Sequence, residues 1–338
     1  MTPNFLHLAG RLLATLALLL SSAWAATALW YQVPGPAALK IAAAVLWACF
    51  GLAAIALLWR GKAARPLLSY IVGFALLLSW WGTIQPSQNR VWADDVAQQL
   101  VAKVDGRMVT MQNVRNFDWR SDTDRTVRWE TRQYDLDRIR SVDVALSHWT
   151  GPAIAHTLVS FGFDDGRFLT FSIEIRKERG ESFSSIGGFF KQFETSLVAA
   201  DERDILRVRT NVRGEDVYMY RVQLPQAQMR SLFLAYLGEA DALVRAPSFY
   251  NTLFANCTTI VYELAKRVVP GLPMDYRLLA SGYLPDYLYD VGGLAPGFSL
   301  EALRTGGRIT DRAQAFDKNP GAEDFSQAIR RGMPGVAP

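Results

Sequence analysis

One thiol stands alone in most of this chain. Of the two cysteines in 338 residues, Cys49 falls inside an apolar run and Cys257 has no partner in the remainder. A lone thiol outside the cell is a buried bystander, half of an intermolecular bridge, or a nucleophile. Asn256 is a good N-cap, so Cys257 is predicted at the first position of a helix running to about Val268. There the helix dipole and free amides stabilise a thiolate. Ile260, Val261, Leu264 and Val268 follow Cys257 at i+3, i+4, i+7 and i+11, which turns the sulfur-bearing face inward. The competing reading is a small buried hydrophobe at a helix start.

A thiol needs a base. The chain has three histidines, His7, His148 and His156. His156 lies in the clearest strand, where an imidazole facing the cysteine makes a Cys–His pair with histidine as general base. His148, beside Trp149, is the reserve, and a satisfied core histidine is the alternative. Asp164-Asp165-Gly166 is a strong turn signal between Ile154–Phe161 and Arg167–Ile175. With a three-residue loop Phe163 pairs with Arg167, and His156 comes opposite Glu174 on one face. A carboxylate there orients and charge-stabilises the imidazole. A slip of one residue brings Ile173 or Ile175 opposite instead, and an ion pair with Arg176 or Lys177 is the other reading of Glu174. The histidines are too scattered for a metal site, and HExxH, CxxC, GxGxxG and GxxxxGK[ST] are missing, so no metal and no cofactor is implied.

These groups need a scaffold. Met108–Phe117 and Ile139–Leu146 read as strands, and Ala97–Lys103 as the end of a helix. Ile205–Asn211 and Asp216–Leu224 are predicted as a second hairpin around Arg213-Gly214-Glu215. Gln226–Val244 is predicted helical, as is Ser185–Ala199, whose Phe183, Ile186, Phe190 and Phe193 make an aromatic stripe. That stripe is a core face, an acyl-chain wall or a bilayer contact. The fold class is α+β with an antiparallel sheet.

The net charge of +4 is unevenly distributed. Residues 1–93 carry six basic residues and no acid, and the remainder is slightly negative. Three apolar runs, Leu12–Trp30, Ile41–Trp59 and Pro66–Trp81, are each near the length of a membrane span. Arg60, Lys62 and Arg65 between the second and third place that loop in the cytoplasm and the large domain outside, in the bacterial periplasm. Ala23-Trp24-Ala25 resembles a signal-peptidase site, so cleavage after the first run is a second reading. The predicted division is a membrane region at 1–82, a linker at 83–99, a catalytic domain at 100–310 and a C-terminal tail at 311–338. The soluble part has no basic cluster, which argues against nucleic acid.

Several stretches resemble the Lnb N-terminal periplasmic domain family. They are Val114–Ser121, the His156 strand Ala155–Phe163 with Ser172–Arg176, Arg209-Thr210-Asn211, Tyr250-Asn251, and Asn256-Cys257-Thr258-Thr259. The resemblance spans about residues 100–300. It implies a circularly permuted papain-like domain, similar to lecithin:retinol acyltransferase, with Cys257 as nucleophile and His156 as base. Glu174 is the third group by register, and Asn256 and Asn251 are oxyanion or support residues. Some Lnb members transfer a fatty acyl chain to the N-terminal amine of a lipoprotein. The leading expectation is therefore an inner-membrane thiol acyltransferase, with phospholipid and a lipoprotein or other envelope acceptor as partners. A periplasmic Cys–His peptidase or amidase and a non-catalytic tethered envelope module are the alternatives.

Overall fold

A computed structural model describes residues 3–62, 64–319 and 324–336. The chain divides into two units: Met1–Ser87 with Ser184–Gln192, and Gln88–Phe183 with Phe193–Pro338.

The first unit holds α1 (Pro3–Gln32), α2 (Ala37–Trp59) and α3 (Ala64–Thr83). All three are long and apolar enough to cross a membrane. Small and hydroxylated residues set their packing, as lipid offers no hydrophobic drive for helices to associate. Ser21 and Ser22 of α1 hydrogen-bond the Tyr70 hydroxyl at 2.9 and 2.8 Å. A Cβ on Gly51 would come within 2.1 Å of Ser22 Oγ, so only glycine permits this approach.

Ser185–Ala199 was expected to be helical and is not: Glu194–Ala200 is a strand, and Ser185–Gln192 holds no α-helix. It forms one 3-10 turn, Gly187–Phe189, because adjacent Gly187 and Gly188 carry a helix cost of about 1 kcal/mol each. The Gln32 side-chain amide donates to Phe190 O at 2.7 Å, and Lys191 Nζ donates to Trp81 O at 2.8 Å. Phe190 stacks on Tyr31 with ring centroids 5.8 Å apart. The predicted aromatic stripe is therefore dispersed: Phe193 is fully buried, whereas Phe183, Ile186 and Phe189 are exposed.

Among the described residues the second unit has ten strands. They are β1 (Val101–Asp105), β2 (Met108–Arg115), β3 (Asp118–Trp119), β4 (Arg125–Thr126), β5 (Trp129–Asp135), β6 (Ile139–Thr150), β7 (Ile154–Phe163), β8 (Phe168–Arg176), β9 (Glu194–Ala200) and β10 (Asp216–Val222). The main sheet runs β1-β2-β9-β8-β7-β6-β10, with β5 paired to β2 and β3 paired to β4 apart. Its pairs are antiparallel apart from a one-residue parallel contact between β2 and β9. Helices α4 (Glu202–Ile205), α5 (Gln226–Arg245), α6 (Thr259–Val268), α7 (Leu284–Asp290), α8 (Leu300–Gly307), α9 (Thr310–Lys318) and α10 (Phe325–Arg330) complete this α+β unit.

The sheet carries a core on each face. Phe161, Phe171, Phe233 and Tyr236 join the sheet to α5, with Phe171 stacked on Tyr236 at 4.7 Å. Leu158, Val198, Val217 and Met219 pack against Phe325 and Ile329 of α10 in a separate cluster.

Three further expectations are corrected. Ala97–Lys103 is not a helix end: a 3-10 turn at Asp94–Val96 leads into β1. Ile205–Asn211 is helical, passing from α4 into a π-helical turn at Val208–Val212, so β10 pairs with β6 and forms no hairpin with it. Asp201 caps this bend by accepting from Arg203 N, a local bond that outweighs the strand-like alternation. The described part of 311–338 is not a loose tail. Arg330 is buried and bonded to Asp143 and Glu202.

Candidate active site

The site begins with a turn. Phe163 N donates to Arg167 O at 3.0 Å and Gly166 N to Phe163 O at 3.1 Å, closing the three-residue loop. Gly166 has φ +83°, a conformation that costs glycine little. The loop sets the register in which Leu158 pairs with Ser172 and Gly162 with Phe168. Two residues beyond that ladder, His156 Nε2 lies 3.3 Å from Glu174 Oε1. Ser172, two residues before Glu174 on the same face, stands between them. Its hydroxyl is 2.6 Å from His156 Nε2 and donates to Glu174 Oε1 at 2.7 Å.

The thiol reaches this pair through a capped turn. Asn256 Oδ1 accepts from Thr258 N at 2.8 Å and Thr259 N at 2.9 Å, and its amide donates to Thr252 O. Asn251 Oδ1 accepts from Leu253 N and Phe254 N, which closes the loop ahead of it. Both asparagines thus support the turn. Helix α6 starts at Thr259, so Cys257 sits in the lead-in turn and not at the first helical position. The Thr258 and Thr259 amides are occupied by Asn256, which removes them as oxyanion donors. Thr258 Oγ1 meets Thr157 Oγ1 at 2.8 Å and tethers the turn to the start of β7.

Burial and charge set the protonation states. Burial pushes the Cys257 thiol up, but the neighbouring His156 charge and hydrogen bonding at the sulfur outweigh it and leave the thiol below its ordinary value. Burial opposes a charge on His156, yet the Glu174 carboxylate and the thiolate hold the imidazole up at about 9. Glu174 lies well below the usual carboxylate range, because His156 and Arg209 overcome its desolvation. Both shifts, the thiol downward and the imidazole upward, favour a thiolate–imidazolium pair over the neutral pair.

Three contributors escape the sequence reading. Arg209, 6% exposed, donates through Nη2 to Glu174 Oε1 at 2.9 Å and through Nη1 to Glu215 Oε2 at 3.3 Å. Ser147 in turn donates to Glu215. The π-helical turn aims Arg209 inward, a use common at functional sites. Ser172 links imidazole to carboxylate. Tyr250, 8% exposed, lies beside Cys257; burial and the thiolate raise its pKa, so its hydroxyl stays protonated. Arg209 and Tyr250 stood within the resemblance stretches, but no spacing marked their roles.

A cavity of about 270 Å³ opens over these groups, lined by His156, Glu174, Tyr250, Arg209, Trp149 and Phe183. The Val114–Ser121 stretch borders it and is anchored by one buried carboxylate. Arg115, Phe117 N and Trp119 Nε1 all donate to Asp204 at 2.8–3.1 Å. His148, the reserve base, lines a neighbouring cleft, where burial pulls its pKa down.

Residues 125–282 match the family model described as Lnb N-terminal periplasmic domain. This segment is similar to Lnb N-terminal periplasmic domains. The match covers just under half of the chain and includes His156, Ser172, Glu174, Arg209, Tyr250 and Cys257. Comparison with curated proteins and with solved structures returned no match. With the three apolar helices, the Lnb domain marks a membrane protein of the cell envelope with a periplasmic domain.

Proposed function

We propose that this protein is an inner-membrane thiol acyltransferase, moving a fatty acyl chain from phospholipid to the N-terminal amine of a lipoprotein. The observation that carries the reading is the buried Cys257–His156–Glu174 arrangement, with its paired charges, in a chain that also holds three candidate membrane spans. The Cys257 thiolate attacks the ester carbonyl carbon, forming the C–S bond. The C–O bond then breaks, and the lysophospholipid alcohol leaves with the His156 proton. The acceptor amine attacks the thioester, the C–S bond breaks, and His156 takes the proton from nitrogen, restoring the ion pair. The Tyr250 hydroxyl, protonated and beside the sulfur, is a donor suited to a developing oxyanion. Membrane tethering raises the effective concentration of donor and acceptor.

The test is intact-mass analysis of the full chain in phospholipid nanodiscs, with and without a synthetic diacylated lipopeptide. A fatty acyl adduct on Cys257 that transfers to the lipopeptide supports the reading. Hydrolysis of peptidoglycan fragments with no adduct points to the peptidase or amidase alternative.

A further inference from the structure

A second cavity, of about 280 Å³, lies along α6 and is lined mostly by aliphatic side chains, with Gln223, Gln228, Tyr262 and Tyr287 among the rest. On the helix it follows Thr258, Val261, Ala265, Val268 and Val269; from the sheet and α5 it is closed by Val144, Val159 and Leu232. Natural cores seldom keep voids larger than a water molecule, and lining atoms there lose packing partners. This one starts beside the thiol, since Thr258 borders the cavity and its Oγ1 is 3.9 Å from Cys257 Sγ.

We propose that this cavity holds the alkyl chain of the acyl group carried on Cys257. The inference rests on the acyltransferase reading and adds the subsite that measures chain length. Its dimensions give the length in two ways. Thr258 to Val269 is eleven helical steps, about 16 Å at 1.5 Å per residue. An extended chain advances about 1.25 Å per carbon with C–C bonds near 1.5 Å, which gives about thirteen carbons. At the roughly 30 Å³ that a small group occupies in a liquid, the volume takes about nine methylenes. A medium to long fatty acyl chain fits both measures. Ala265, seven residues from Thr258 and so about 10 Å along the cavity, is the position from which a larger side chain would shorten it.

The experiment uses the full chain in nanodiscs, with p-nitrophenyl esters of four to sixteen carbons as acyl donors and the Cys257 adduct read by intact mass. The parent is expected to favour twelve to fourteen carbons. Ala265→Phe is expected to accept only up to about eight carbons, with the four-carbon ester reacting within about twofold of the parent. If Ala265→Phe does not fold, Ala265→Leu gives a smaller shift in the same direction. An unchanged chain-length profile in a folded variant overturns the proposal. Should the parent form no adduct with any ester, the acyltransferase reading has failed, and the cavity is tested alone. Cys257→Ala protein is then irradiated with a twelve-carbon diazirine fatty acid. Crosslinks within residues 258–269 that fall at least fivefold in the Ala265→Phe background support the cavity. Crosslinks elsewhere, or insensitive to that change, overturn it.

Discussion

Among the buried arginine–carboxylate clusters of the periplasmic unit, those around Arg330 and Arg209 differ in what is left over. Around Arg330 every guanidinium nitrogen has an acceptor. Nε meets Asp143 at 2.9 Å, Nη1 meets Glu202 and Ser326 O at 2.7 and 2.8 Å, and Nη2 meets Glu202 at 2.6 Å. Asp143 also takes Arg221, and Glu202 takes Ser160. Around Arg209 the arrangement is unfinished. Its Nε has no partner among the described residues, and Glu174 Oε1 is shared between a permanent cation, a serine hydroxyl and a histidine. The Arg330 cluster is saturated with groups of fixed charge and can only hold α10 in place. The Arg209 cluster includes an imidazole and a nearby thiol, each shifting the other's pKa. Buried charge alone does not mark a site; buried charge coupled to groups whose pKa values it displaces is the stronger pointer.

The widest separation between the clusters comes from removing their central members. Cys257→Ser or His156→Ala is expected to lower acyl transfer at least about 10⁴-fold, a loss that persists per folded molecule. Arg330→Met is expected to do the reverse. It leaves Asp143 and Glu202 buried without their cation, a loss of about 3–5 kcal/mol read as a fall in denaturation midpoint. Activity per folded molecule should stay at the parent level. A catalytic loss in Arg330→Met without destabilisation breaks the comparison.

The two clusters were also unequally legible. His156 opposite Glu174 followed from one local signal, because an Asp-Asp-Gly loop sets the register of the whole hairpin. The Cys257 turn was equally local, carried by Asn256. The membrane helices needed only length and composition. Arg209 was hidden because Ile205–Asn211 alternates like a strand, while the bend is held by the Asp201 cap and by Asp204, whose partners lie on distant segments. Helix α10 was hidden for a similar reason, since its anchor is one arginine whose acceptors lie on β6 and α4 and not a periodic apolar face. Phe183, Ile186, Phe190 and Phe193 kept helical spacing by coincidence, across two glycines that prevent the helix.

Glu174→Gln tests the middle of the site. The neutral amide keeps the shape but removes the largest influence raising the His156 pKa, so desolvation prevails and the imidazolium weakens. Transfer is expected to fall about 10²-fold. The alkaline limb of its pH profile reports loss of the His156 proton, since the leaving alcohol then has no donor. That limb should lie near pH 9 in the parent and move toward neutrality in Glu174→Gln.

The smallest effect is the most discriminating. Arg209→Met removes a cation that opposes the imidazolium, so the His156 pKa should rise and the alkaline limb should move above its parent position. Glu174, which both His156 and Arg209 hold well below its ordinary value, keeps His156 as its partner in this variant. The thiolate–imidazolium pair therefore survives, and the rate should fall only about tenfold, from looser placement of the carboxylate. The two substitutions touch the same bond from opposite ends and are expected to shift the limb in opposite directions. A merely structural ion pair between Glu174 and Arg209 would shift it the same way in both, or leave it where it was.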